Sequence, residues 1–199
     1  MYPTQFEYVR PSSVDEAVAI LAADPDAKVL AGGHSLIPAM KLRLAAPGTV
    51  VDISRIDGLV GIDSRGGVKI GAMTTYAAIV DSDKLADFSV LTEATKMVGD
   101  PSVRNRGTIG GSMAHNDPAA DLTAVMLALN ASVTAQGTAG TREIAIDDLF
   151  VGLLTTSLTE DEIITSVNIP NDFSNAKAAY VKHAHPASGY AVVGVAVAI

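Results

Sequence analysis

Two short motifs constrain this chain more than any other feature, because each joins a pair of glycines to a hydroxyl residue. The first is Ala31-Gly32-Gly33-His34-Ser35-Leu36, and the second is Thr108-Ile109-Gly110-Gly111-Ser112. Glycine lets a ligand approach the backbone closely, and successive N–H groups in such a segment attract anions. Neither motif is the G-x-G-x-x-G of nicotinamide-binding folds or the G-K-[ST] of P-loop proteins. A plain turn between a strand and a helix explains either motif alone, whereas the pair predicts a clamp for a diphosphate.

Periodicity and turn signals around the motifs predict two α+β lobes that meet at a cleft. In the first lobe we predict an edge strand over residues 2–9, a buried strand over 28–31 and a strand over 49–53. Ser13 and Glu16 have the spacing of a capping box, which starts a helix that Asp24-Pro25 ends. These elements make residues 1–55 the N-terminal lobe.

The second lobe is predicted over residues 56–175. It combines helices over 75–80 and 89–98 with strands in an antiparallel pattern over 67–72, 131–135, 142–146 and 162–169. Asp117-Pro118 opens a further helix over 119–129, whose buried positions are expected to be Ala120, Ala124, Leu127 and Ala128. An apolar run over 190–199 with no polar terminator predicts that residues 176–199 begin a truncated C-terminal domain.

Composition and charge exclude several classes of function. The net charge is −8, from 14 basic and 22 acidic residues, which argues against nucleic-acid or anionic-membrane binding because phosphate contacts need clustered Lys and Arg. No apolar run is long enough to span a bilayer and the N-terminus lacks the pattern of a signal peptide, so we expect a cytoplasmic protein. The absence of cysteine excludes disulfides, a catalytic thiol and iron–sulfur ligation within this chain.

The two glycine motifs, with the residues that follow them, resemble the flavin signatures of a known family. Residues 31–43 and 108–121 are similar to the two signatures of the medium subunit of carbon monoxide dehydrogenase, a family that includes the flavin domain of xanthine dehydrogenase. The resemblance covers essentially the whole chain. It implies an α+β fold of the vanillyl-alcohol-oxidase-like type, with FAD lying between two lobes and the family's further C-terminal half-domain missing.

The resemblance also implies a role for particular residues. The diphosphate of FAD would be enclosed by backbone N–H groups and hydroxyls of the two motifs, at Ala31, Gly32, Gly33, His34, Ser35, Leu36, Thr108, Gly110, Gly111 and Ser112. Asp121 matches the acidic residue that binds the adenosine ribose. Ile164 and Lys182 match positions near the flavin, and Tyr190 matches the tyrosine that packs on the isoalloxazine face.

Other polar residues suggest alternatives that the pattern does not favour. His183-Ala184-His185, with His34 and His115, has the residue types of a metal site, but no cysteine or carboxylate completes a coordination set. We expect no metal and a non-covalently bound FAD. The Arg104-Asn105-Arg106 turn and the acidic residues at 147–148 and 160–162 are interpreted as solvated.

The resemblance therefore implies an oxidoreductase subunit that relays electrons, has no catalytic residue acting on the substrate and works with the partner subunits of that family. FAD would take electrons from the iron–sulfur clusters of a partner and release them to an external acceptor. A small iron–sulfur subunit and a large molybdenum subunit would complete a heterotrimer that dimerises. The expected enzyme is carbon monoxide dehydrogenase; a xanthine or N-heterocycle dehydrogenase subunit and a non-catalytic nucleotide-binding module remain alternatives.

Overall fold

A computed structural model describes all 199 residues of the chain. The helices are α1 (Val14–Ala23), α2 (Leu36–Lys41), α3 (Tyr76–Val80), α4 (Ser89–Lys96), α5 (Pro101–Arg104), α6 (Ile109–His115), α7 (Asp121–Ala128) and α8 (Ile146–Leu149). The strands are β1 (Glu7–Val9), β2 (Lys28–Leu30), β3 (Thr49–Asp52), β4 (Ile62–Asp63), β5 (Val68–Gly71), β6 (Ser132–Gly137), β7 (Gly140–Ala145), β8 (Phe150–Gly152), β9 (Thr155–Thr156), β10 (Ile163–Ile169), β11 (Ala178–Ala184) and β12 (Ala191–Ala198). No helix is both long enough and apolar enough to cross a membrane.

The first lobe is a parallel sheet of three strands in the order β1-β3-β2, with α1 packed on it. Helix α1 begins where the Ser13 hydroxyl accepts a hydrogen bond from the Glu16 N–H at 3.1 Å. The Glu16 carboxylate accepts in return from the N–H of Ser12 rather than that of Ser13, at 2.7 Å. The capping box is therefore confirmed, with its return bond displaced by one residue.

Two expectations for the first lobe need correction. The strand expected over residues 2–9 forms only over Glu7–Val9. The strand expected to be buried over 28–31 is only partly buried, because β3 occupies the centre of the sheet and β2 lies at its edge. Lys28, Val29 and Ala31 face the cavity between the lobes instead.

The second lobe contains an antiparallel sheet of five strands in the order β4-β5-β10-β6-β7. Helices cover this sheet and complete a core of 26 buried residues, while a smaller core of 10 residues joins the first lobe to residues of the second, such as Met73. Strand β10 serves both cores, since Ile163 belongs to the smaller one and Ile164, Val167 and Ile169 belong to the larger one. The antiparallel sheet expected from the sequence is confirmed.

The hairpin of β11 and β12 follows the second lobe and packs on it through α7 and α4. Tyr180 of β11 is buried in the larger core, and small residues of β12, such as Ala196 and Ala198, pack against it. The turn between the two strands brings residues 185–190 to the cavity, which Ser188, Gly189 and Tyr190 help to line.

Helix α7 was assigned the wrong start and the wrong buried face. It begins at Asp121 rather than near Pro118, because Asp117 and Pro118 form a preceding turn in which the Asp117 carboxylate accepts from the Ala119 N–H at 2.9 Å. The buried residues are Leu122, Val125 and Met126, whereas Leu127, expected to be buried, is 41% exposed. Because the helix is apolar on nearly all sides, the positions of its alanines do not indicate which face is buried.

Candidate functional site

A cavity of about 680 Å³ lies between the two lobes, and all fourteen residues predicted from the sequence line it. The first lobe contributes the motif that follows β2, and the second lobe contributes the start of α6 and Asp121 at the start of α7. Ile164 comes from β10, and Lys182 and Tyr190 come from the hairpin. The cavity is within the size range of small-molecule sites in proteins.

The first glycine motif presents unused hydrogen-bond donors to the cavity. No hydrogen bond within the chain has as its donor the backbone N–H of Gly32, Gly33, His34 or Ser35. Gly33 has a φ of +78°, a conformation that residues other than glycine rarely adopt. Four successive N–H groups are thus available as donors, and runs of successive backbone N–H groups are a common feature of phosphate-binding sites.

The first motif also contacts the second lobe directly. A Cβ atom at Gly32 would lie 2.1 Å from the carbonyl oxygen of Arg106 and 3.1 Å from Cα of Gly107. Gly107 in turn packs against the ring of Tyr76, since a Cβ there would lie 2.4 Å from Cε2 of that ring. The lobes therefore meet, backbone to backbone, at one edge of the cavity.

The second glycine motif differs from the loop that the sequence indicated. Residues Ile109–His115 form helix α6, with Thr108 as its N-cap. The N–H groups of Ile109 and Gly110 donate to the carbonyls of Thr74 and Ala72, and that of Gly111 donates to the Thr108 hydroxyl at 3.3 Å. Because these three N–H groups already have acceptors, the second motif offers the cavity mainly hydroxyl groups rather than backbone donors. Gly110 is required for packing, since a Cβ there would lie 2.4 Å from Cβ of Ala72.

Asp121 lies at the cavity wall with its carboxylate already anchored. It is 5% exposed and accepts hydrogen bonds from the Tyr180 hydroxyl at 2.6 Å and from the Lys182 ammonium at 2.9 Å. Lys182 also donates to the carbonyl of Met97 at 3.0 Å, and its side chain is as buried as that of Asp121. The two matched residues thus form one buried ion pair beside the cavity.

Tyr190 and Ile164 both contribute apolar surface to the cavity, one as an exposed ring and the other as a buried strand residue. Tyr190 lies at the end of the hairpin turn, before β12 begins, and is 52% exposed. It is therefore not a core aromatic of the terminal strand. Ile164 is buried within β10 and shows only one side to the cavity.

Sequence reasoning missed several residues that line the cavity, among them Tyr76, Val98 and Glu162. Burial raises the pKa of Tyr76; the Ser112 side chain opposes the rise, and Tyr190 and Asp121 add to it. Glu162 forms a bidentate ion pair with Arg142, at 2.6 and 2.8 Å, which lowers the pKa of its carboxyl group. Tyr76 directly follows Thr74 and Thr75, and nothing in that local pattern indicates that its ring packs against Gly107.

Two groups of charges interpreted as solvated make specific contacts. The Arg104 guanidinium donates to the carbonyls of Lys96, Val98 and Gly99, so it closes the C-terminal end of α4. The Asp161 carboxylate accepts from the N–H and hydroxyl of Thr138, and these bonds lower its pKa. Neither the histidines nor the acidic residues form a cluster of three that could hold a metal ion.

These groups fit a flavin dinucleotide. The free N–H donors of the first motif suit the oxygens of a diphosphate, and the Asp121 carboxylate suits the hydroxyls of a ribose. The exposed ring of Tyr190 and the neighbouring apolar wall suit a planar ring system. Glycine is required at Gly32 and Gly33 for separate reasons, contact between the lobes and backbone conformation.

Comparison with known proteins gives the same result. A family model described as the FAD binding domain in molybdopterin dehydrogenase matches residues 4–172. The chain is 45% identical to the nicotine 6-hydroxylase medium subunit of Paenarthrobacter nicotinovorans, over 82% of this chain and 59% of that subunit. It is 43% identical to the carbon monoxide dehydrogenase medium chain of Hydrogenophaga pseudoflava, over 99% of this chain and 70% of that one.

Solved structures give the same result. Carbon monoxide dehydrogenase from Hydrogenophaga pseudoflava, in a form lacking the Mo-pyranopterin moiety of the molybdenum cofactor, superposes with a TM-score of 0.96 at 42% identity. The superposition covers 100% of this chain and 70% of the solved chain. The α+β flavin fold expected from the two motifs is confirmed, and the chain spans between 59% and 70% of the length of these relatives.

Proposed function

Because the chain belongs to the family of FAD-binding domains of molybdopterin dehydrogenases, we propose that it is the flavin subunit of a molybdenum hydroxylase. The observation that carries this proposal is the run of free N–H donors from Gly32 to Ser35, which opens into a cavity lined by both lobes. FAD bound there would supply the exchange of electrons between iron–sulfur clusters of a partner subunit and an external acceptor.

The residues of the chain bind and orient the cofactor. We propose that Gly32, Gly33, His34 and Ser35 donate to the diphosphate, with Ala31 and Leu36 completing the wall. Across the cavity, the hydroxyls of Thr108 and Ser112 take part beside the glycines of α6. Because the charge of Lys182 is balanced by Asp121, the diphosphate would be held mainly by backbone dipoles rather than by a free cation.

The remaining residues of the site act on the two ends of the dinucleotide. In this proposal Asp121 accepts hydrogen bonds from the hydroxyls of the adenosine ribose, and the Lys182 ammonium holds one oxygen of that carboxylate in place. Tyr190 packs on one face of the isoalloxazine, while Ile164 contacts the ring system from β10. No residue of the chain is assigned to the chemistry of the substrate.

The two relatives are named as the medium subunit of a hydroxylase and the medium chain of a dehydrogenase. We propose that this chain likewise works with a small iron–sulfur subunit and a large molybdenum subunit, in a heterotrimer that dimerises in the cytoplasm. The absence of cysteine supports a separate iron–sulfur subunit, because clusters are usually held by cysteine thiolates.

The proposed enzyme is a carbon monoxide dehydrogenase. The chain is similar over nearly its whole length to two carbon monoxide dehydrogenase medium chains, at 43% and 41% identity. A relative named for nicotine has 45% identity, so the flavin chain alone discriminates weakly between substrates. The alternative of an N-heterocycle dehydrogenase subunit is separated by assaying the complete complex with carbon monoxide and with N-heterocycles.

The test of cofactor binding is direct. The purified chain is incubated with FAD, passed through a desalting column and measured for flavin absorption and protein concentration. We expect about one FAD per chain and no flavin left on the protein after acid precipitation, since binding is non-covalent. A folded chain that retains neither FAD nor FMN would instead be a nucleotide-binding or scaffold module without redox function.

A further inference from the structure

The Asp121 carboxylate accepts hydrogen bonds from two side chains of strand β11. Tyr180 and Lys182 are two residues apart on β11, so both side chains lie on the same face of the hairpin. The Tyr180 hydroxyl donates to Oδ1 and the Lys182 ammonium donates to Oδ2. Each carboxylate oxygen therefore has one fixed partner.

Tyr180 does not line the cavity, although Asp121 and Lys182 do. Its side chain belongs to the core of the second lobe and is 6% exposed. We propose that Tyr180 is a positioning residue for the cofactor, which orients the Asp121 carboxylate towards the hydroxyls of the adenosine ribose. The inference rests on the proposed function, because it takes Asp121 to be the ribose ligand.

The geometry explains why two anchors are needed. An ionised carboxylate has about four acceptor positions, and the two anchors occupy one on each oxygen. The remaining acceptor positions of the carboxylate are the only ones that a ligand in the cavity can use. With Lys182 alone, the carboxylate can rotate about its Cβ–Cγ bond while keeping the ion pair, so the free positions lose their direction. With Tyr180 in place, that rotation breaks a hydrogen bond.

Tyr180 can serve as a permanent donor. Burial raises the pKa of its hydroxyl, and the hydrogen bond to Asp121 raises it further. Tyrosine ordinarily loses its proton near pH 10, so this hydroxyl keeps its proton throughout the neutral range. The Lys182 ammonium occupies the other oxygen of the same carboxylate, at 2.9 Å.

The first lobe contains a matched arrangement away from the cavity. The Tyr8 hydroxyl donates to the buried Asp52 carboxylate, and the Arg10 guanidinium lies 3.6 Å from the same carboxylate. None of these three residues lines the cavity. Tyr8→Phe therefore removes a tyrosine–carboxylate hydrogen bond, as Tyr180→Phe does, together with the two hydrogen bonds that Arg10 donates to the Tyr8 hydroxyl, and it does so without touching the proposed site.

The experiment measures binding of two flavins to the 199-residue chain and its variants. FAD contains the adenosine ribose and FMN lacks it, so the ratio of their dissociation constants reports on that contact. We expect Tyr180→Phe to raise the dissociation constant of FAD about tenfold and to change that of FMN by less than about twofold. ADP, which carries the adenosine half, should compete less well by the same factor. Tyr8→Phe should leave all three affinities unchanged, while both variants melt at a lower temperature than the wild type.

Two results would overturn the inference. Equal weakening of FAD and FMN by Tyr180→Phe would mean that the hairpin has moved as a whole, and unchanged FAD binding would mean that Asp121 needs no second anchor. A double-mutant cycle with Asp121→Ala provides a further check, because alanine removes the acceptor of the Tyr180 hydroxyl. Adding Tyr180→Phe to Asp121→Ala should have little extra effect on FAD, and full additivity contradicts the inference. If the wild type binds no FAD, the proposed function fails and this inference fails with it.

Discussion

Replacement of Gly32 by alanine tests the contact between the lobes and the anion site at once. A Cβ atom at this position would lie 2.1 Å from the carbonyl oxygen of Arg106 and 2.9 Å from its carbonyl carbon. A carbon and a carbonyl oxygen ordinarily approach no closer than about 3.3 Å. Gly32 or the Arg106–Gly107 peptide must therefore move by roughly 1 Å, and both are backbone, which cannot turn aside as a flexible side chain can.

The size of the effect follows from that displacement. Forcing an additional methyl group into a packed contact costs about 1–3 kcal/mol of unfolding free energy. The same movement shifts the N–H groups of Gly32 and Gly33, and each hydrogen bond lost to a charged group is worth about 1.5–3 kcal/mol. We expect Gly32→Ala to raise the dissociation constant of FAD by at least about tenfold.

Gly48→Ala is the matched control for this prediction. A Cβ at Gly48 would meet nothing within 4 Å, so this variant should keep wild-type FAD affinity and melt at the same or a slightly higher temperature. Flavin fluorescence titration gives the affinities, and thermal unfolding followed by circular dichroism gives the stabilities. The reasoning is refuted if Gly32→Ala binds FAD as tightly as Gly48→Ala does.

Asp121→Ala should weaken FAD binding more than Asp117→Ala does. It should also lower the free energy of unfolding more, by about 3 kcal/mol against about 1 kcal/mol, because it leaves the buried Lys182 without a counter-ion whereas Asp117 only stabilises a turn. FAD titrations and thermal unfolding of both variants check the order. Tyr190→Ala should loosen FAD and shift its potential with little change in melting temperature, since the ring is half exposed, and Tyr190→Phe should retain wild-type values in a spectroelectrochemical titration. The ion pair lowers the pKa of Glu162 below its ordinary 4.5, so its contribution to stability is full above that value and is lost as the pH falls through the folded-state pKa. Urea unfolding should therefore show Glu162→Gln to be less stable than the wild type at pH 7, with the difference shrinking as the pH falls below 4.5.

The features that the sequence predicted well depend on short stretches of chain. The helix that begins at Ser13 is specified by its own capping residues, and the strands of the second lobe by local alternation of apolar residues. The residues of the two motifs were also identifiable, because paired glycines beside hydroxyls are rare enough to indicate close approach of a ligand. Whether those motifs share one cavity depends on tertiary structure; the pairing of the two motifs suggested that they do, and the resemblance to a known family implied the same.

The features that were mistaken depend on contacts between distant segments. Residues 109–115 look like a loop because of Gly110 and Gly111, yet they form a helix whose first N–H groups donate to the carbonyls of Ala72 and Thr74. Those acceptors lie more than thirty residues earlier in the chain, so no local pattern reveals them. Tyr180 escaped notice for the same reason, since its partner Asp121 is 59 residues away.

The position of β10 has a consequence for how the chain folds during its synthesis. This strand lies between β5 and β6, and it contributes Ile163 to the smaller core and Ile164, Val167 and Ile169 to the larger one. Neither core can therefore close until residues 163–169 have left the ribosome. Until then β5 has an unpaired edge and the cluster around α1 has an open side, so most of the chain must wait in a partly folded form that chaperones can recognise. The cavity between the lobes forms only after that step, so the cofactor binds late in folding.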